Sequence, residues 1–146
     1  MAIECVGSVR IAADPGLCFA RTADLGQWPE WARDMERVEV LARDGEGRPL
    51  RARMVADLFG KEFDATADFR YDKAPAAFTF SLVEARKLQS LEGMFSFEPD
   101  RDGTLMSFRV LMTLVKPKAA RVERMVARKI ETALTRDLRR HIERSR

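Results

Sequence analysis

PKAARVERMVARKIETALTRDLRRHI, residues 117–142, sets apolar side chains at Val122, Met125, Val126, Ile130, Ala133, Leu134, Leu138 and Ile142. Steps of three and four place them along one stripe of an α-helix, with charged residues on the other side. Lys116-Pro117 closes whatever strand precedes it, because proline cannot donate to a sheet ladder. At 1.5 Å per residue such a helix extends roughly 40 Å, enough to cross a whole sheet. The residues before it should therefore supply that sheet.

They do so in an alternating pattern. Thr104 to Val115 sets Met106, Phe108, Val110, Met112 and Leu114 against Ser107, Arg109 and Thr113. Upstream, one face collects Leu50, Ala52, Met54, Ala56 and Leu58, then Phe63, Ala65, Ala67, Phe69 and Tyr71, then Phe78, Phe80 and Leu82. The opposite face of the middle strand carries Glu62, Asp64, Thr66, Asp68 and Arg70, so that strand has one wet side. Turn signals at Asp44-Gly45-Glu46-Gly47, Phe59-Gly60-Lys61, Asp72-Lys73-Ala74-Pro75 and Asp100-Arg101-Asp102-Gly103 divide the run into antiparallel hairpins.

At the N-terminus, Ile3 to Ala12 alternates as a strand and stops at Asp14-Pro15. Asp14 is placed to cap a helix with Pro15 at its first position, running to about Leu25 with Leu17, Cys18, Ala20 and Leu25 on its apolar side. Trp28-Pro29-Glu30-Trp31-Ala32 reads as a second short helical turn closing one end of the domain, and Met35 to Arg43 resumes a strand. The expected class is α+β: six to seven antiparallel strands, two short helices after the first strand, and a long C-terminal helix. Residues 1–146 form one domain, without repeat, low-complexity tract or linker.

Composition excludes several functions. One histidine and two cysteines cannot supply a metal site, and neither a phosphate loop, a dinucleotide fingerprint nor a GxSxG nucleophile motif occurs. Cys5 and Cys18 read as buried free thiols, and His141 as a helix residue. No cofactor, metal or catalytic residue is assigned. The N-terminus lacks the order of a signal peptide and no segment has 18 uninterrupted apolar residues, so the expected compartment is cytoplasmic. Charge is lopsided: residues 116–146 hold 11 Lys or Arg against 4 Asp or Glu. Arg121, Arg124, Arg128, Lys129, Arg136, Arg139, Arg140, Arg144 and Arg146 make a basic stripe. Its readings are solvated surface complementing the helix dipole, peripheral contact with an anionic membrane, or nonspecific phosphate binding; no sequence-specific nucleic-acid recognition is expected.

Several words in the chain resemble the START-like (SRPBCC) superfamily, and within it the bacterial polyketide cyclase/dehydrase and lipid-transport group. They are Ile11-Ala12-Ala13-Asp14-Pro15, Ala23-Asp24, Trp28-Pro29-Glu30-Trp31-Ala32, Val38 through Pro49, and Ser81-Leu82-Val83-Glu84. The resemblance covers essentially the full chain and implies a helix-grip fold, in which a curved sheet wraps the terminal helix around a deep cavity. It also implies a ligand: an apolar small molecule such as a lipid, quinone or polyketide, bound or transported.

The residues support a cavity on their own. Ala52, Ala56, Ala65 and Ala67 sit on adjacent strands and leave volume unless the helix closes over them, while Met54, Met94, Met106, Met112 and Met125 offer adaptable walls. The close-packed alternative is an ordinary core. The candidate ligand-binding residues are Trp28, Met54, Ala67, Phe69, Tyr71, Phe80, Leu82, Phe108, Met125, Val126 and Ile130. Trp28 is expected to cap the mouth with its N–H on a carbonyl. The enzymatic alternative is a polyketide cyclase or dehydratase. Relatives of that kind present polar residues inward on the strand before the Asp72 turn, where this chain has Ala67 and Phe69. Tyr71, Glu84 and Arg109 are the polar groups left for such chemistry.

Overall fold

The computed structural model describes residues 2–58 and 60–146; Phe59 of the expected Phe59-Gly60-Lys61 turn lies outside the described residues. Among these, seven strands form one antiparallel sheet: β1 (Ala2–Ile11), β2 (Met35–Arg43), β3 (Pro49–Leu58), β4 (Lys61–Arg70), β5 (Ala77–Ala85), β6 (Leu88–Asp100) and β7 (Gly103–Leu114). The order is β1-β7-β6-β5-β4-β3-β2. Every neighbour except β1 on β7 is a hairpin partner. Between β1 and β2 the chain passes through α1 (Pro15–Ala23), a single 3₁₀ turn at Leu25–Gln27 and α2 (Trp28–Trp31). The helix-grip α+β architecture expected from the sequence is the one observed.

The terminal helix runs 25 residues as α3 (Ala120–Thr132), a π turn at Ala133–Asp137 and α4 (Leu138–Arg144). Its sequence explains the π turn. Val122, Val126, Ile130, Leu134, Leu138 and Ile142 recur every four residues, whereas an ideal helix needs 3.6, so the row would rotate off the sheet by about 40° per step. At the π turn the Leu138 N–H donates to the Ala133 carbonyl, five residues back. That slower winding returns the row toward the sheet. Leu138 and Ile142 end up fully buried.

Sidedness follows the alternation, with corrections at individual positions. Met106, Phe108, Val110, Met112 and Leu114 are all buried. Leu50 is 38% exposed instead of facing the core, since β3 begins at Pro49, near the end of its ladder with β2. In α1 the buried residues are Cys18, Phe19, Thr22 and Ala23, while Ala20 is exposed. The Asp14 side chain makes no capping hydrogen bond; its backbone carbonyl accepts from the Cys18 N–H. The wet side of β4 carries two ion pairs to β3, Asp68 with Arg51 at 2.6 Å and Asp64 with Arg53. Both guanidiniums hold their partner carboxyls below the usual aspartate value.

Candidate functional site

The helix-facing side of the sheet is divided in two by aromatic packing. Toward α1, rings fill the space: Phe19 meets Tyr71, Phe78 and Phe97 edge-on, with centroids 5.8 to 6.3 Å apart. Phe78 also packs on Phe69 and Phe95. The Tyr71 hydroxyl donates to the Pro49 carbonyl, the Arg48 guanidinium lies over its ring, and burial pushes the phenol up to about 12. Leu138 and Ile142 belong to the same core.

Away from these rings the packing leaves a cavity of about 450 Å³. Its floor is the sheet: Met54, Ala56 and Leu58 of β3, Phe63 and Ala65 of β4, Phe80 of β5, Leu88, Leu91 and Phe95 of β6, Val110 and Met112 of β7. Every one of those side chains is apolar. The helix contributes Ile130, Ala133 and Leu134, and α2 contributes Trp28 and Trp31. Charged lining residues come only from the segment after α2 and from the helix: Arg33, Asp34, Arg128, Lys129, Arg136 and Asp137. Arg33, Arg128, Lys129 and Arg136 are exposed, which puts the mouth between that segment and the helix.

Trp28 is held as its sequence suggests. Its Nε1 donates to the Thr22 carbonyl at 2.9 Å, and its ring packs on Trp31 and Phe95. The Trp31 Nε1 is buried without an acceptor among the described residues.

Of the eleven candidate ligand-binding residues, Trp28, Met54, Phe80 and Ile130 line this cavity. Ala67, Phe69, Tyr71 and Phe108 do not: they are buried in the core outside its lining. Leu82 lies beyond Ser81, the last residue of β5 paired with β6. Val126 is buried where α3 packs along β1, with the Cys5 thiol directed at the Ala127 carbonyl. Met125 lies outside the lining and is 47% exposed, since one residue before Val126 means about 100° around the helix. Met94 is likewise exposed and Met106 sealed in the core; of the five methionines named from the sequence Met54 and Met112 line the cavity, where Met35 joins them.

None of the polar candidates lines the cavity. Glu84 is exposed, and Arg109 pairs with Glu4 at 3.0 Å on the outer side of the sheet. Sequence reading missed Leu88 and Leu91, whose alternation is interrupted by a register shift between Leu88 and Ser90. It also missed Arg33 and Asp34, which lie between α2 and β2 outside any periodic element, and it read Arg128, Lys129 and Arg136 only as part of the basic stripe. Among the described residues no group of His, Cys, Asp or Glu is arranged to hold a metal, and no helix is long and apolar enough to cross a membrane.

Residues 2–144 match the model of a family described as polyketide cyclase/dehydrase and lipid transport. Among solved structures, a START superfamily protein from Mycobacterium smegmatis is 20% identical, with a TM-score of 0.86 over 98% of this chain and 99% of that one. The Zhui aromatase/cyclase from Streptomyces sp. R1128 is 18% identical, with a TM-score of 0.80 over 99% and 95%. A STAR-related lipid transfer protein from Xanthomonas axonopodis is also 18% identical, at 0.74 over 95% and 85%. At these identities the likeness is one of fold. No curated protein matches the sequence.

Proposed function

Because the chain belongs to the polyketide cyclase/dehydrase and lipid transport family, we propose that it binds or carries an apolar small molecule, of lipid, quinone or polyketide type, in the cavity beneath its terminal helix. One observation carries this reading: the cavity floor is built entirely of apolar side chains, and charge is confined to the mouth. A volume of about 450 Å³ falls within the roughly 300–1,000 Å³ of small-molecule sites. Water in such a pocket has few polar partners, so an apolar ligand displaces it favourably. Trp28, Met54, Phe80 and Ile130 are the contact residues we assign.

Cyclisation or dehydration of a polyketide is the second reading, favoured by the fold shared with an aromatase/cyclase. General acid–base work needs a titratable group within hydrogen-bond reach of the substrate. The floor offers none, and binding is therefore put first.

Loading would take place where the mouth meets the helix's outward face. That face exposes Arg121, Arg124, Arg128 and Arg140 with Met125 among them. Its charge complements an anionic membrane, which is the partner we assign for ligand exchange.

Native mass spectrometry of the purified protein, followed by solvent extraction, tests the reading. A co-purifying hydrophobic compound is expected, and it should be lost from an Ala65→Phe, Leu91→Trp variant whose cavity is filled. An empty protein that turns over a polyketide mimic would reverse the ranking.

A further inference from the structure

The charges at the mouth do not balance. Lys129 and Asp34 pair at 3.5 Å, and Arg136 pairs with Asp137 at 2.9 Å. Those contacts match both mouth carboxylates with cations. Arg33 and Arg128 remain, and among the described residues neither makes an ion pair or a side-chain hydrogen bond. One follows α2 and the other sits on α3, so two separate parts of the fold each bring an arginine to the same opening. Below them the pocket is apolar down to the sheet.

An opening of this kind selects on two properties at once. The floor takes a hydrocarbon or ring body, while unpaired guanidiniums at the rim favour an anion and give it planar, forked donors. We propose that the ligand is an anionic amphiphile, with its apolar body inside and a carboxylate or comparable acidic group held at the mouth by Arg33 and Arg128. This rests on the cavity being the ligand site. A neutral lipid or quinone of the same size would fill the floor and leave the rim charges unanswered. A cationic amphiphile would meet like charge there.

The test uses matched ligands that differ only at the head: decanoate, 1-decanol and decylammonium, titrated calorimetrically into the full chain at neutral pH. Decanoate should bind roughly tenfold tighter than decanol, and decylammonium weakest, with the decanoate advantage shrinking as salt is raised. An Arg33→Gln, Arg128→Gln variant should bring the decanoate and decanol affinities together. Its thermal melt serves as the folding control, since both side chains lie at the surface. Equal or tighter binding of decanol in the unmodified protein overturns the anionic head while leaving the apolar site standing. So does an advantage that survives in the double variant. Failure of all three ligands to bind overturns the cavity assignment with it.

Discussion

The Phe80 ring lies against Gly93 so closely that a Cβ built at residue 93 would stand 2.3 Å from the ring's Cζ. The two are directly opposed across β5 and β6, in a row that continues to Val110 of β7. Absence of a side chain at one position thus sets where an aromatic wall of the cavity can lie. A Gly93→Ala change forces the ring to move, and Phe69, 5.5 Å away between centroids, limits retreat toward the packed half. The open direction is into the cavity. Affinity for a neutral apolar probe such as Nile red should drop about tenfold, with a stability cost of about 1–3 kcal/mol from overpacking. Adding Phe80→Leu should recover binding. Unchanged probe affinity in the single variant would refute the assignment of Phe80 as a wall.

Trp28 joins the mouth to α1 through one hydrogen bond to the Thr22 carbonyl. Trp28→Phe keeps most of the ring packing but strands a buried acceptor. Urea unfolding should show a loss of about 1–3 kcal/mol. A loss below experimental error would mean that water replaces the indole.

The Cys5 thiol is buried, and that burial, with Glu131 adding to it, pushes its pKa from 9.0 to about 11. Between these values the folded chain holds a proton that the unfolded chain has released. The thiol's contribution is thus fully present below about pH 9 and is lost as pH rises toward about 11. Cys18 shifts upward as well, chiefly by burial. Neither thiol should react with a disulfide reagent at pH 8 in the native protein, and both should react at once in denaturant. Rapid labelling of the folded protein would contradict the burial.

Arg121 and Arg124 are exposed and lie outside the cavity lining. Replacing both with Gln should weaken sedimentation with phosphatidylserine-containing vesicles severalfold, leaving neutral phosphatidylcholine vesicles as the blank. Equal sedimentation of the two proteins would remove the membrane from the exchange route. Retention on nucleic acid in preference to vesicles would do the same.

Element type and sidedness could be read directly from residue order, because alternation and three-four spacing are properties of neighbours along one chain. Met106 through Leu114 alternate inward as written, and the terminal helix covers the expected length with only its π turn unannounced. Even that turn had a local cue in the strict four-residue spacing from Val122 to Ile142. Trp28's carbonyl partner was also legible, since a buried indole N–H needs an acceptor.

Where the empty space lies was decided only by packing between distant elements. Ala67 and Ala65 are both small and both face the helix, yet Ala67 is sealed and Ala65 borders the cavity. Farther along the same face the space is taken by Phe19 of α1, brought against Tyr71, Phe78 and Phe97 from beyond β4 and from β5 and β6. A pattern of residue types gives the volume each side chain can occupy, but whether that volume is filled depends on which distant ring arrives to share it. The mouth is likewise a tertiary product: Arg33 and Arg128 stand far apart in the chain, and only the fold sets them around one opening.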